Sequence, residues 1–254
     1  PFAYFAQYGL NAKERKVLRL SAPDVGTFLH SVIDRFSRRM GDKEVTWRTV
    51  DREWCTAAVS GIVDELLGAA GNSIFNTSKR HRYIAGRLKR VLTRAVWLIA
   101  EHIRRSSFEP IGYEIGFGDH EKFPPIEIEL SGGSKIKLTG RIDRVDTCKT
   151  EEGTYLRIVD YKSGNKAFKL ADIYYGLQIQ LITYFDAVWE KGGAGIQKPI
   201  LPGGILYFRI DDPMVRAGCD TAEEEIEKQI MKQLKMKGLL LADVKLVKEM
   251  DRQI

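Results

Sequence analysis

Gly140-Arg141-Ile142-Asp143-Arg144-Val145-Asp146 and, beyond the connector Thr150-Glu151-Glu152-Gly153, Ile158-Val159-Asp160-Tyr161-Lys162-Ser163-Gly164 are the stretches whose reading decides the fold. Side chains alternate across a strand, so Asp160 and Lys162 share a face, with Leu156 and Ile158 behind them. An apolar strand face thus ends in an acid and a lysine two residues apart. Asp143 is expected to end the preceding strand, where a tight connection brings it beside Asp160. Two carboxylates in one place repel each other unless a cation lies between them. Mg²⁺ suits such a place, because it takes one or two carboxylates and keeps room for waters and phosphate oxygens. It lowers the pKa of bound water and neutralises charge growing on a phosphate. A lysine alongside can orient that water or stabilise the crowded phosphorus. The competing reading is a surface hairpin with a Lys–Asp ion pair worth about 0–1 kcal/mol.

Outward from this centre, the chain before it reads as helical. Ser21-Ala22-Pro23-Asp24 is a helix start, with proline at an early position. Val25, Phe28, Leu29, Val32, Ile33 and Phe36 follow at helical spacing up to Gly41. A second helix is expected from Asp51 to Leu67 and a third from Ser78 to Arg105. The period then changes. Tyr113–Phe117, Ile126–Leu130, Lys135–Ile142, Tyr155–Tyr161 and Gly203–Ile210 read as strands, with a hairpin turn at Ser131-Gly132-Gly133-Ser134. One helix is expected from Ile173 to Glu190, between the last two strands. The tail from Thr221 to Lys237 reads as helical, with a short helix after Ala242. The expected fold class is α/β, a mixed central sheet flanked by helices. Residues 1–106 form a helical subdomain, 107–210 the core, and 211–254 a helical segment packed on it.

The chain has 254 residues, 44% of them hydrophobic, which suffices for a sizeable core. Its apolar runs fall short of the roughly 20 residues a membrane span needs, so no membrane partner is expected. A net charge of +6 permits a polyanionic partner without establishing one. Cys55, Cys148 and Cys219 form no CxxC pair, which speaks against a zinc site and for a reducing, cytoplasmic setting. The chain starts at Pro1 without Met and is expected to be a piece of a longer protein. Within the third helix, Arg87, Arg90 and Arg94 fall on one stripe that could follow a phosphate backbone; a solvated face is the alternative. Trp47, Trp54 and Tyr83 could stack on bases, although core packing suits each of them. Glu114 is either an additional acid of the site or an exposed strand residue, and Asp146 a supporting partner.

Four motifs in order carry a family resemblance. They are Gly26-Thr27-Phe28-Leu29-His30 (G-x-x-x-H), Gly140-Arg141-Ile142-Asp143-Arg144-Val145-Asp146, Val159-Asp160-Tyr161-Lys162-Ser163-Gly164, and Gln180-Leu181-Ile182-Thr183-Tyr184 (Q-x-x-x-Y). Together they resemble the RecB-type nuclease domains of the PD-(D/E)XK superfamily, most closely the C-terminal nuclease regions of the AddB family of helicase–nuclease subunits. The opening Pro1-Phe2-Ala3-Tyr4-Phe5 and the stretch from Lys235 to Asp243 extend the likeness over essentially the whole chain.

The resemblance implies a fold like that of restriction endonucleases and an Mg²⁺-dependent exonuclease acting on DNA, with Mn²⁺ able to substitute. Asp143, Asp160, His30 and the Tyr161 carbonyl would hold the metal, Lys162 would be catalytic, and Gln180 and Tyr184 would support the site or touch DNA. With a pKa near 6.5, His30 would make metal binding weaken in mild acid. The resemblance further implies an AddA-type partner, a role in double-strand-break repair, and an iron–sulfur cluster in the full-length protein only. None of Cys55, Cys148 and Cys219 fits the cluster's cysteine pattern. Three rivals remain: an inactive nuclease-like module that only binds DNA, a stand-alone nuclease of the same superfamily and, last, a purely structural scaffold.

Overall fold

The computed structural model describes residues 5, 22–41, 45–69, 79–130, 133–164, 168–191, 196, 199–218 and 220–253. Cys219, the Ser131-Gly132 half of the hairpin turn and residues 1–4 lie outside them. Three helices come first: α1 (Ala22–Gly41), α2 (Arg52–Ala69) and α3 (Lys79–Arg105). Strands β1 (Glu109–Phe117), β2 (Ile126–Glu129), β3 (Lys135–Leu138), β4 (Gly140–Lys149) and β5 (Thr154–Lys162) follow. Then come α4 (Leu170–Tyr174), α5 (Gln180–Lys191), β6 (Ile200–Arg209), α6 (Glu223–Gln233), β7 (Lys237–Leu240) and α7 (Val244–Met250).

The central sheet has the order β1-β4-β5-β6-β7. Only β5 and β6 run parallel, joined by the α4–α5 crossover. Strands β2 and β3 form a separate hairpin. Alternation sorts the two cores. Val159, Tyr161, Leu206 and Phe208 face one way, onto the apolar stripe Leu29, Val32, Ile33 and Phe36 of α1 and its partners from α2 and α3. Leu156, Ile158, Ile205 and Tyr207 face the other way, onto Leu181, Tyr184, Ala187 and Val188 of α5. Phe36 and Ile33 are fully buried, and truncating side chains so placed costs about 2–5 kcal/mol each.

Four details depart from the reading of the sequence. The run Lys135–Ile142 is two strands, and β4 continues to Lys149, so Asp143 lies inside a strand rather than at its end. The helix expected from Ile173 to Glu190 is interrupted. The N–H groups of Leu177 and Gln178 bond back to the Asp172 carbonyl at 2.7 and 3.1 Å and turn the chain before α5. The tail is not wholly helical, because β7 extends the sheet along β6. In β1, Tyr113 packs with the α1–α3 core while Ile115 packs with the α5 core. Two residues apart, they should share a face. Glu114 between them has φ 47, a conformation that costs a non-glycine residue about 1–3 kcal/mol. Among the described residues, no helix is long and apolar enough to cross a membrane.

Candidate active site

The end of the sheet where β1, β4 and β5 meet collects the sequence motifs. Arg144 of β4 pairs with Val159 of β5, so one further step of this antiparallel register sets Asp143 opposite Asp160. The Tyr161 N–H donates to Asp143 Oδ2 at 2.6 Å. Helix α1 approaches from the other core and closes the arrangement. A side chain at Gly26 would come within 3.2 Å of Ser163 Oγ, so glycine lets the first turns of α1 sit against the loop that follows β5. One turn later, His30 Nε2 donates to the Tyr161 carbonyl at 3.1 Å and Nδ1 to Glu114 Oε1 at 3.2 Å. Asp143 Oδ1 is 3.4 Å from the same Nδ1.

One ligand atom from each of His30, Glu114 and Asp143 fits within a mutual 4.8 Å. Burial pushes the His30 imidazole down, but the carboxylates of Asp143 and Glu114 outweigh it and raise its pKa to about 10. Asp160 is 1% exposed. Burial first, and then the charge of Asp143, push its carboxyl up to about 6. Lys162 Nζ lies 2.7 Å from Asp160 Oδ2 as an ion pair. Neither carboxylate oxygen of Asp160 has an aligned hydrogen bond. Asp160 is not one of the three mutually close ligand residues: its carboxylate is held by Lys162 and feels the charge of Asp143. The imidazole and the two carboxylates of that trio, with the Tyr161 carbonyl on His30, are a donor set that fits a hard divalent cation.

Helix α5 supplies the opposite wall. Gln180 Oε1 accepts from Lys162 Nζ at 3.0 Å, and Gln180 Nε2 donates to Tyr184 Oη at 2.6 Å. The Q-x-x-x-Y spacing thus holds the lysine in place. Burial pushes the Tyr184 hydroxyl pKa up.

Other nominated residues lie elsewhere. Arg94, Arg90 and Arg87 converge on Asp212 at 3.0, 3.3 and 3.6 Å, so the stripe read as a phosphate track has a partner within the chain. Trp47 is buried, and Trp54 and Trp47 pack on Phe36; Tyr83 is 67% exposed. Asp146 lies fully buried between Arg144 (2.9 Å) and Arg157 (2.8 Å), a structural ion cluster on the far side of β4. Cys55 and Cys148 are buried free thiols. The sequence left Glu114 undecided, and its irregular backbone is what swings its carboxylate to His30.

Comparisons with known proteins identify the family. The family model of the PD-(D/E)XK nuclease superfamily matches residues 1–253. The chain is 63% identical to an ATP-dependent helicase/deoxyribonuclease subunit of Acetivibrio thermocellus, 62% to its counterpart in Ruminiclostridium cellulolyticum and 53% to that of Clostridium novyi. Each match covers 100% of this chain and 22% of the relative, so the chain spans about a fifth of their length. With its mixed five-stranded sheet, its flanking helices and its acid–lysine strand end, the chain belongs to the PD-(D/E)XK nuclease superfamily.

Proposed function

We propose that this chain is the nuclease domain of an AddB-like helicase–nuclease subunit and hydrolyses DNA phosphodiester bonds with Mg²⁺, as an exonuclease. The observation that carries the reading is the His30–Glu114–Asp143 cluster beside the buried Asp160–Lys162 pair. Asp143, Asp160, His30, Glu114 and the Tyr161 carbonyl would hold the cation, with Mn²⁺ able to replace it. When bound, the metal supplies a water of lowered pKa and neutralises charge on the phosphate.

The chain's own groups do the rest. Lys162 is steadied by Asp160 on one side and Gln180 on the other, so its ammonium is preorganised where charge develops on the phosphate oxygens. In hydrolysis a water oxygen bonds to phosphorus, one P–O ester bond breaks and the departing oxygen takes up a proton. His30 must be deprotonated on one ring nitrogen to serve as a ligand, and the carboxylates of Asp143 and Glu114 favour its protonated form. Tyr184 anchors Gln180 and so acts through it.

In the longer protein this domain would work with an AddA-type partner in the cytoplasm, on DNA ends formed at double-strand breaks. Any iron–sulfur cluster would draw its ligands from outside this stretch. The helical unit 1–106, the core 107–210 and the segment 211–254 would act as one domain. Cleavage of end-labelled DNA with Mg²⁺ or Mn²⁺, comparing wild type with Asp160→Ala, tests the reading: Asp160→Ala should be inactive, and equal residual cleavage would overturn it.

A further inference from the structure

We propose that Arg35 and Arg141 grip the phosphate backbone of the bound strand on the α1 side of the acid cluster. This inference rests on the nuclease reading and names the residues that would hold its substrate.

A cleft of about 590 Å³ opens beside the cluster, and His30, Asp34, Arg35, Arg38, Glu114 and Arg141 are among the residues lining it. Its charges sort into pairs with a remainder. Asp34 takes Arg38 at 3.0 Å, and Glu114 takes His30 at 3.2 Å. Arg35 and Arg141 are exposed and have no ion pair among the described residues. The α3 arginines, by contrast, are occupied by Asp212.

A phosphodiester approaching three carboxylates is repelled, so compensating cations must lie close by. The guanidinium fork matches phosphate oxygens in a bidentate way and stays charged at any working pH. The spacing also suits the task. Arg141 precedes Asp143 by two strand residues, about 7 Å. Arg35 follows His30 by five helical residues, about 7.5 Å along the axis. The two cations therefore stand on α1 and β4, two of the three elements that carry the cluster, and both line the cleft beside it.

The test uses the full-length protein that carries this chain, without ATP, cleaving a single-stranded oligonucleotide over a range of NaCl concentrations. Arg35→Gln and Arg141→Gln should each raise KM about three- to tenfold and leave kcat within about twofold. Each should also flatten the dependence of log KM on log salt by about 0.7, the increment for one lost phosphate contact on a single strand. Arg141→Lys should recover most of the slope. Lys245→Gln, which removes an exposed charge paired with Glu152, should leave both quantities unchanged. Unaltered salt slopes in both glutamine variants would overturn the proposal while the nuclease reading stands. If wild type does not cleave at all, the nuclease reading fails, and anisotropy titrations of the same labelled oligonucleotide still decide the phosphate contacts by the same change in slope.

Discussion

The carboxylate of Asp143 accepts the backbone N–H of Tyr161 at 2.6 Å while its other oxygen lies 3.4 Å from His30 Nδ1. One side chain therefore fastens β4 to β5 and faces the cluster. Asp143→Ala should abolish cleavage and also cost about 1–3 kcal/mol, because a buried donor loses its partner. Asp143→Asn should be equally inactive yet recover most of that stability, since an amide oxygen still accepts. Thermal melts beside cleavage assays check both; equal stability of the two variants would contradict the double role.

The raised pKa of His30 has a definite sign. The group gains its proton more readily when folded, so without metal its contribution is fully present below pH 6.5 and is lost as pH rises through about 10. A divalent cation must displace that proton. Metal binding should therefore tighten steadily between pH 7 and 10 and release close to one proton per site. Calorimetry in buffers of different ionisation enthalpy measures this, and binding without proton release would count against His30 as a ligand. His30→Ala should weaken the metal and remove the pH dependence.

Lys162 and Gln180 should separate chemistry from metal binding. Lys162→Ala should lose cleavage while calorimetry shows the metal still bound. Gln180→Ala leaves the ammonium without one of its two anchors, and an orienting partner of this kind is worth about 10- to 100-fold in activity. Full activity in Gln180→Ala would mean that Asp160 alone suffices to position the lysine.

Glu114 tests the part of the site that sequence left open. Millimolar Mn²⁺ should raise the melting temperature of wild type, since a ligand at 100 times its Kd adds about 2.7 kcal/mol. Glu114→Gln should lose most of that increment. A full shift in the variant would show that the carboxylate is dispensable for the metal.

Asp212 should behave as a structural clamp. Burial pushes its carboxyl up, but Arg94 and Arg90 outweigh this and hold it below the usual range, so its contribution is present above about pH 4 and fades as the pH falls. Asp212→Ala should lower stability by about 1 kcal/mol, since these charges are partly solvated. Released from their partner, Arg87, Arg90 and Arg94 should increase DNA affinity at low salt; unchanged affinity would show that the stripe lies off the substrate path.

The alternation of β5 was legible because one face is Leu156, Ile158, Asp160 and Lys162 and the other Val159 and Tyr161, which fixes both the cores and the chemistry. The 3.6-residue stripe of α1 was equally clear. Strand β7 was not. Its four residues include Gly238, where any side chain would run into the Ile205 carbonyl. It is a strand because β6 accepts it, and local sequence carries no such signal. The pairing of Arg87, Arg90 and Arg94 with Asp212 joins residues 118–122 apart for the two hydrogen-bonded arginines, beyond the reach of periodicity. Glu114 stayed undecided because its side-chain direction depends on a left-handed backbone angle, φ 47, that strand alternation does not signal.

The hydrogen bonds that fix His30 span 84 and 131 residues of chain. Such closures are entropically dear and form only after most of the intervening chain has folded. Metal capture should therefore be among the last events of refolding, following the burial of tryptophan in the helical layer. The ion would then act as an inspector of finished molecules: a chain whose first helix has not docked lacks a ligand, cannot be loaded, and cannot cut DNA prematurely.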